Sequence, residues 1–299
     1  MVVLIFGGVI NVITPDINIF KKSADLANQI MLLYILLGVF FLIFANQRLM
    51  LVSLGCAALL AYDLKIKTDA KIKYAPRNHE AKISLTLANL ASIDANPQKV
   101  FNYIKRTRPD IIVLQEFTPE WPMIIDQEFG DIYEYKLLIP KISVYGIGIL
   151  SKIPIEKIDT IYYEEIPIIN AHFSVEYKLF NIVTAYLMPN LNLELSQKCQ
   201  NQLRLMSEST KKNRGPSIVP GVFNLVPWSA EIQKFKYDGE LLDSRRGFIP
   251  NLYTGSLLSK PVTHIFYSED FECIDFKIAK ADNDEFGVES SFQFKNQSN

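Results

Sequence analysis

Four oxygen-bearing side chains stand at or near the ends of apolar runs, where a fold can gather them. Asn89 ends ISLTLAN (83–89), Glu116 ends IIVLQE (111–116), Asn224 sits in GVFNLVPW (221–228) and Asp284 in NDEFGV (283–288). Carboxylates and amides are the ligands a hard divalent cation takes. A cation held this way would neutralise an anionic ligand. Tyr186, in VTAYLMPN (183–190), adds a phenol able to hydrogen-bond a phosphate oxygen. Softer metal chemistry finds no support. Cys56, Cys199 and Cys273 form no CxxC pair and no cluster with a histidine, which argues against a structural zinc site. Three cysteines in a chain of this size do not read as a disulfide framework either.

The elements that must position these residues read as a globular α/β domain from residue 81 onward. Segment 83–89 alternates and is rich in β-formers, the pattern of a strand. Asn96 is placed to cap a helix that starts at Pro97 and carries Val100, Tyr103, Ile104 and Thr107 at helical spacing. The continuous apolar run at 111–116 suits a strand buried on both faces and completes a strand–helix–strand unit. Further strands are expected at 146–151, 168–176, 180–187, 217–223, 262–267 and 288–294. A helix over 195–212 puts Leu195, Cys199, Leu203 and Met206 on one face.

Ahead of this domain the chain is apolar. Residues 26–45 contain no charge, and their twenty residues reach about 30 Å as a helix, the thickness of a bilayer core. Residues 49–62 follow closely enough to close a helical hairpin. They are short for a span, but Gly55, Ala57 and Ala58 suit close helix packing. Residues 2–14, which stop at Pro15 and Asp16, read either as a short or tilted spanning helix or as a signal-peptide core. No basic leader or cleavage site accompanies them. The expected organisation is therefore 1–64 as a membrane region with two or three transmembrane helices, 65–80 as a polar, Lys-rich linker and 81–299 as the globular domain.

Taken in order, Asn89, LQE (114–116), YGIGILSKIPI (145–155), VTAYLMPN, GVFNLVPW, VTHIFYS (262–268) and NDEFGV resemble the motif series of the endonuclease/exonuclease/phosphatase superfamily. Each motif is weak alone, and the resemblance rests on seven in the same order across about residues 82–294. It implies an α/β fold, a four-layer α/β/β/α sandwich with two mixed β-sheets, here preceded by N-terminal transmembrane helices. It also implies phosphate esters as substrates, with Mg²⁺ or Mn²⁺ as cofactor if the chain is active. By the same resemblance Asn89, Glu116 and Asp284 fall at metal-side positions and the 81–299 domain is endonuclease/exonuclease/phosphatase-like. Tyr186 falls at a catalytic position where a phenol can hydrogen-bond a phosphate oxygen. Asn224 keeps the second half of the family's Asp-x-Asn motif, a catalytic position on or beside the metal-holding side. Each has an ordinary alternative: a charge ending a buried strand for Glu116, a turn residue for Asn89, a solvated acid for Asp284, a packing aromatic for Tyr186 and Trp228.

The departures from the pattern fall on the catalytic side. Val222 stands where the family has the water-activating Asp, Thr263 where it has the Asp that orients a catalytic His, and Glu285 where that His belongs. Valine cannot take a proton, and a carboxylate at 285 repels a phosphate dianion unless it is protonated or binds metal. His264 neighbours 263 on an expected strand, so it faces the other way and reads as structural. His79 and His172 match no motif and read as linker or surface residues.

General acid–base help is typically worth about 10²–10⁴-fold, so losing these groups points to an impaired or inactive member that binds a phosphorylated ligand or a protein partner. The alternative is an active Mg-dependent phosphoester hydrolase in which Glu285 serves as ligand or base. A third reading makes the domain a scaffold in a membrane assembly. With 31 basic against 32 acidic side chains, no excess charge is present to hold a nucleic-acid backbone. The anchor favours a lipid-linked phosphate. Lys21, Lys22, Lys65, Lys67, Lys71 and Lys73 flank the hairpin, against Arg48 alone in its turn, which by the positive-inside rule puts the domain in the cytoplasm.

Overall fold

The computed structural model describes residues 2–13, 23–78, 80–92, 97–212, 215–248, 260–282 and 284–295. Pro15, Asp16, Lys21, Lys22, His79 and the expected cap Asn96 lie outside the described residues. The strands are β1 (Lys82–Asn89), β2 (Ile111–Gln115), β3 (Tyr135–Ile139), β4 (Ile147–Ser151), β5 (Ile155–Tyr163), β6 (Ile166–Val175), β7 (Lys178–Thr184), β8 (Ser217–Val222), β9 (Leu241–Asp243), β10 (Thr263–Ser268), β11 (Phe271–Ala281) and β12 (Asp284–Phe294). The helices are α1 (Val2–Ile13), α2 (Ala27–Ile43), α3 (Gln47–Lys67), α4 (Pro97–Thr107), α5 (Trp121–Phe129), α6 (Leu193–Lys212) and α7 (Ala230–Gly239).

The strands form two six-stranded sheets, ordered β11-β12-β1-β2-β4-β3 and β5-β6-β7-β8-β10-β9. Each is mixed, with one parallel pair at its centre, β1 with β2 and β7 with β8. Period-two alternation decides which residues meet. Leu85 and Leu87 of β1, Val113 of β2, Ile182 of β7, Ile218 of β8 and Ile265 of β10 pack in the layer between the sheets. Their neighbours in sequence face outward: Ile112 and Leu114 meet α4 and α5, and Val183, Val219 and Phe266 meet α6 and α7. The same alternation puts Asn89, Gln115, Thr184, Val222 and Thr263 on the inner faces. These five end or begin their strands at one edge of the sandwich.

Gln115 joins the sheets there. It is fully buried; its Nε2 donates to the Ala185 carbonyl at 2.9 Å and to Thr184 Oγ1 at 3.4 Å, and its Oε1 accepts from the Val222 amide at 2.7 Å. All these partners belong to the second sheet or its extensions. On the outer face of that sheet His264 is also fully buried. Its Nε2 donates to the Leu225 carbonyl at 2.9 Å, and its Nδ1 lies 3.1 Å from Asp243 Oδ2. Burial raises the Asp243 pKa, but the hydrogen bond and charge of His264 and the charge of Arg245 outweigh it and leave the carboxyl below its ordinary value.

β12 carries one irregularity that matters for the site. Its pairing with β11 shifts register between Ala279 and Lys280, opposite Phe286. Phe286 therefore packs with the outer core while Val288, two residues on, packs with the inner one. Beside it, a Cβ on Gly287 would strike the Leu87 carbonyl, so only glycine lets β12 lie this close to β1.

The N-terminal helices pack on one another and on the domain. Asn46 Oδ1 accepts from the Leu49 amide at 3.3 Å and starts α3. Residues 26–45, expected as the main span, give a helix of only 17 residues, about 26 Å long. Residues 49–62, expected to be short, belong instead to the 21-residue α3, the one helix among the described residues long and apolar enough to cross a membrane. The Asp63–Lys67 pair at 2.8 Å, one turn apart, carries that helix past the first charge. Of the two or three spans expected, one helix among the described residues is a candidate by length and composition. Leu36, Phe40 and Ile43 of α2 and Leu51, Leu54 and Leu59 of α3 present an exposed apolar surface.

The open end of the hairpin meets the domain. Trp228 Nε1 donates to the Ala24 carbonyl at 2.9 Å, Asn28 Nδ2 to the Phe248 carbonyl at 3.3 Å and Gln233 Nε2 to the Lys67 carbonyl at 2.6 Å. Val226 and Trp228 share a buried cluster with Ala27, Met31, Leu60 and Leu64. Asp69, in the expected linker, accepts from Lys236 Nζ at 2.7 Å and from the Asp243 amide at 2.6 Å.

Replacing Gln115 by leucine strips partners from the Val222 amide and the Ala185 carbonyl in a dry layer. It should cost on the order of 2–4 kcal/mol, read as a fall in the urea unfolding midpoint. Because Asp243 is depressed, the stability its pairing contributes is complete above pH about 4 and lost as pH falls through its folded value. The acid limb of stability, followed between pH 6 and pH 3, should therefore be shallower in Asp243→Asn than in the unmodified protein.

Candidate functional site

The edge where Gln115 joins the sheets gathers most of the residues singled out by sequence. Two reach it through unusual backbone. Alternation would send Glu116 outward beneath α5, but its backbone turns left-handed, with φ of 57°. Asn224, just past β8, does the same with φ of 56°. A non-glycine residue held there costs on the order of 1 kcal/mol or more, and such strain concentrates at functional sites. The turn at 116 brings its carboxylate to Asn89, whose Nδ2 donates to Glu116 Oε1 at 2.7 Å. Asn89 Oδ1 is itself occupied by the Ala91 amide at 3.0 Å. Asn89 thus orients the glutamate, and its Oδ1 keeps one lone pair beyond the bond to Ala91.

Tyr186 leaves β7 on the inner face and completes this half of the site. Burial raises its pKa first, and the charge of Glu116 and the nearby Tyr145 add to that against a hydrogen bond from Asn224. The phenol therefore stays protonated at neutral pH and can donate. Asn224 Nδ2 also donates to the Leu187 carbonyl at 2.7 Å, and Tyr145 meets the Tyr186 ring edge-on at 5.8 Å. From behind, buried Gln202 of α6 holds the same segment, bonding the Tyr186 carbonyl at 3.3 Å and the Met188 amide at 3.0 Å.

The other half of the site holds the replaced positions. Val222 and Thr263 are direct partners on neighbouring antiparallel strands, so the two absent carboxylates would have stood side by side. The shift at Phe286 turns Glu285 toward the second sheet, where it lies in the field of Arg245. Glu285 has an exposed edge. Even so, partial burial raises its pKa, against the opposing charges of Arg245 and Lys280. Arg245 follows β9; its Nη2 donates to the Thr263 carbonyl at 3.4 Å and its guanidinium stacks 4.7 Å from the Phe276 ring centroid. Asp284 points the other way. It is exposed and contributes to the field at Lys99 on α4. His172 bonds Asp159 at 3.2 Å near the opposite sheet edge.

Asn89, Glu116, Tyr186 and Asn224 therefore converge, with Glu285 across from them and Asp284 turned away. Sequence reasoning passed over Gln115, Tyr145 and Arg245. The first two lie inside the LQE and YGIGILS segments and were signalled by them; Arg245 had only its place after a short strand.

Among the described residues no three His, Cys, Asp or Glu side chains come together to hold a metal ion. Glu116, with Oε1 fixed by Asn89, offers its second oxygen. Mg²⁺ is commonly bound through one or two carboxylates with water and substrate phosphate filling the rest. The donor set fits a cation shared with a phosphorylated ligand, and not a cation caged by protein alone.

Three comparisons bear on this arrangement. Residues 87–277 match the model of the endonuclease/exonuclease/phosphatase family. No curated protein sequence matches the chain. Among solved structures, a humanized TDP2 of D. rerio superposes with a TM-score of 0.58 at 16% identity, over 71% of this chain and 99% of that one. An endonuclease/exonuclease/phosphatase family protein of Bacteroides thetaiotaomicron gives 0.57 at 16%, over 73% and 100%. A mannosyl-6-phosphatase of the same organism gives 0.54 at 16%, over 71% and 100%. At such identities these likenesses speak to the fold alone. The family match spans well over half of the chain, from the end of β1 into β11, and on it the chain belongs to the endonuclease/exonuclease/phosphatase family.

Proposed function

We propose that this chain is a membrane-anchored, catalytically impaired member of its family that binds a phosphorylated ligand, with a lipid-linked phosphate favoured by the anchor. The observation that carries the reading is the Val222–Thr263 pair. These two positions face each other across neighbouring strands, and neither side chain can accept a proton from water at neutral pH. Glu285 opposite them adds negative charge where a phosphoryl group would need positive charge.

What remains supports binding. Glu116, oriented by Asn89, would hold a divalent cation, which when bound neutralises phosphate charge. Tyr186 stays protonated and donates into the same space, with Asn224 beside it. The anchoring reading rests on α3, on the exposed apolar surface of α2 and α3, and on the lysines after α3, which favour a cytoplasmic domain. The polar contacts at the hairpin's open end make the anchor part of the domain's own packing.

A second reading, an active hydrolase with Glu285 as base or ligand, draws on the raised Glu285 pKa. It requires divalent-metal affinity to fall in Glu285→Ala, whereas the first reading leaves that affinity with Glu116.

The full chain in lipid nanodiscs with Mg²⁺ or Mn²⁺ should turn over phosphomonoesters and phosphodiesters no faster than Glu116→Ala. Turnover that Glu116→Ala abolishes overturns the reading. The triple variant V222D/T263D/E285H should gain at least about 10²-fold over the unmodified chain, since it restores the proton-handling groups.

A further inference from the structure

Among the described residues Arg245 is a cation with a donor left over. Asp243, next to it in sequence, is already satisfied: Oδ2 faces His264 and Oδ1 accepts the backbone amide of Arg245 itself at 2.9 Å. The guanidinium makes one long bond, at 3.4 Å, to the Thr263 carbonyl, and its Nε has no hydrogen-bond partner among the described residues. Burial lowers its pKa against the charges of Asp243 and Glu285. The residue is half-buried, and an enclosed Nε left unbonded is costly unless something fills it. Its plane is held against Phe276, and a planar fork of five donors is the group that matches a phosphate bidentately.

Its place in the fold bears on what fills it. The Thr263 carbonyl that it touches belongs to the residue paired with Val222, and Asn224, two residues on, contacts Tyr186. Glu285, the carboxylate in whose field it lies, acts on it through charge. The same edge of the sandwich thus carries a carboxylate at Glu116 and a cation at Arg245.

We propose that Arg245 is the phosphoryl-binding group of the groove, with Glu285 the competing carboxylate that an incoming phosphate displaces from its field. The ligand class is a phosphate ester with at least two free oxygens, whether on a lipid headgroup or on a soluble molecule. This inference rests on the phosphate-binding reading above and adds the residue that does the binding.

The test is calorimetric titration of the full chain in detergent with three probes: inorganic phosphate, glycerol 3-phosphate and dihexanoyl phosphatidic acid. Saturable binding of any of them should weaken about tenfold or more in Arg245→Gln, the loss expected for a charge-assisted contact. Arg245→Lys, which keeps the charge but not the fork, should fall between the two and serves as the folded control. Glu285→Gln should bind several-fold more tightly, which a merely structural arginine would not produce. Tighter binding of the phosphatidic acid than of glycerol 3-phosphate assigns a lipid headgroup, and the reverse assigns a soluble ester; both support the site. Equal affinity in the unmodified chain, Arg245→Gln and Arg245→Lys overturns the role of Arg245 and leaves the proposed function standing. No binding of any probe by the unmodified chain overturns both.

Discussion

The buried amide of Gln115 fixes where the site can be. It is the polar side chain that crosses from the end of β2 to the second sheet, and it reaches three groups there: the Val222 amide, the Ala185 carbonyl and Thr184 Oγ1. Each flanks a residue of the site, Glu116 on the near side and Tyr186 and Val222 on the far side. A carboxylate could not donate to the Ala185 carbonyl, and an aliphatic residue would leave an amide and a carbonyl unpaired in a dry layer. With this bond in place, two otherwise independent sheets share one register at one edge. The left-handed turn at Glu116 follows immediately, because the chain must leave that fixed point and bring a carboxylate to Asn89.

Charge is the second constraint. Aspartates at 222 and 263 would have crowded carboxylates into the cleft that already holds Glu116 and Glu285, and such a cleft repels phosphate unless cations are present. With Val222 and Thr263 in their place, the negative charge is divided between Glu116 at one end and Glu285 at the other. Arg245 stands beside the second of these. On the proposed reading, what was lost for driving water onto phosphorus was lost together with much of the repulsion that a bound phosphate would feel. Binding and hydrolysis make opposite demands on this cleft, and the substitutions move it toward the first.

The centre of the fold was legible in the sequence and its edges were not. All eight strands expected from the pattern appear, and all are interior to their sheets. The four that escaped notice are β3 and β11, the edges of the first sheet, and β5 and β9, the edges of the second. The reason is burial. An interior strand between two helical or sheet layers reads as a continuous apolar run, as IIVLQ does, whereas β5, IEKIDTIYY, is exposed along most of its length and reads as polar chain. The site divides the same way. Asn89 and Glu116 end apolar runs and could be found by that position. Asp284 could not be placed, because the register shift at Phe286 decides which of residues 284 and 285 faces inward, and nothing in NDEFGV announces a bulge. The apolar run 49–62 understates α3 because the helix continues beyond it through charged residues to Lys67, with Asp63 and Lys67 paired one turn apart.

Where the hairpin docks ties the N-terminal helices to the site. α2 leaves the domain and α3 returns to it, so the closed end at residues 44–46 lies far from the sandwich and the open end against it. The docking groups are Trp228, four residues past Asn224, and Phe248, three residues past Arg245. Both loops that carry the second sheet's share of the groove therefore continue directly into the surface that grips the helices. Asp69 adds a third tie, bonding the amide of Asp243 at the root of the Arg245 loop. A flexible tether would leave the groove free to sample solvent in any orientation. These polar ties, with that of Gln233 to the Lys67 carbonyl, and a shared apolar cluster do not, and they hold this edge of the sandwich beside the helices. If those helices lie in a bilayer, a ligand whose phosphate sits at the headgroup level is presented to Arg245 and Glu116 without leaving the membrane, and the ordering of the loops that receive it has already been met by the packing of the anchor.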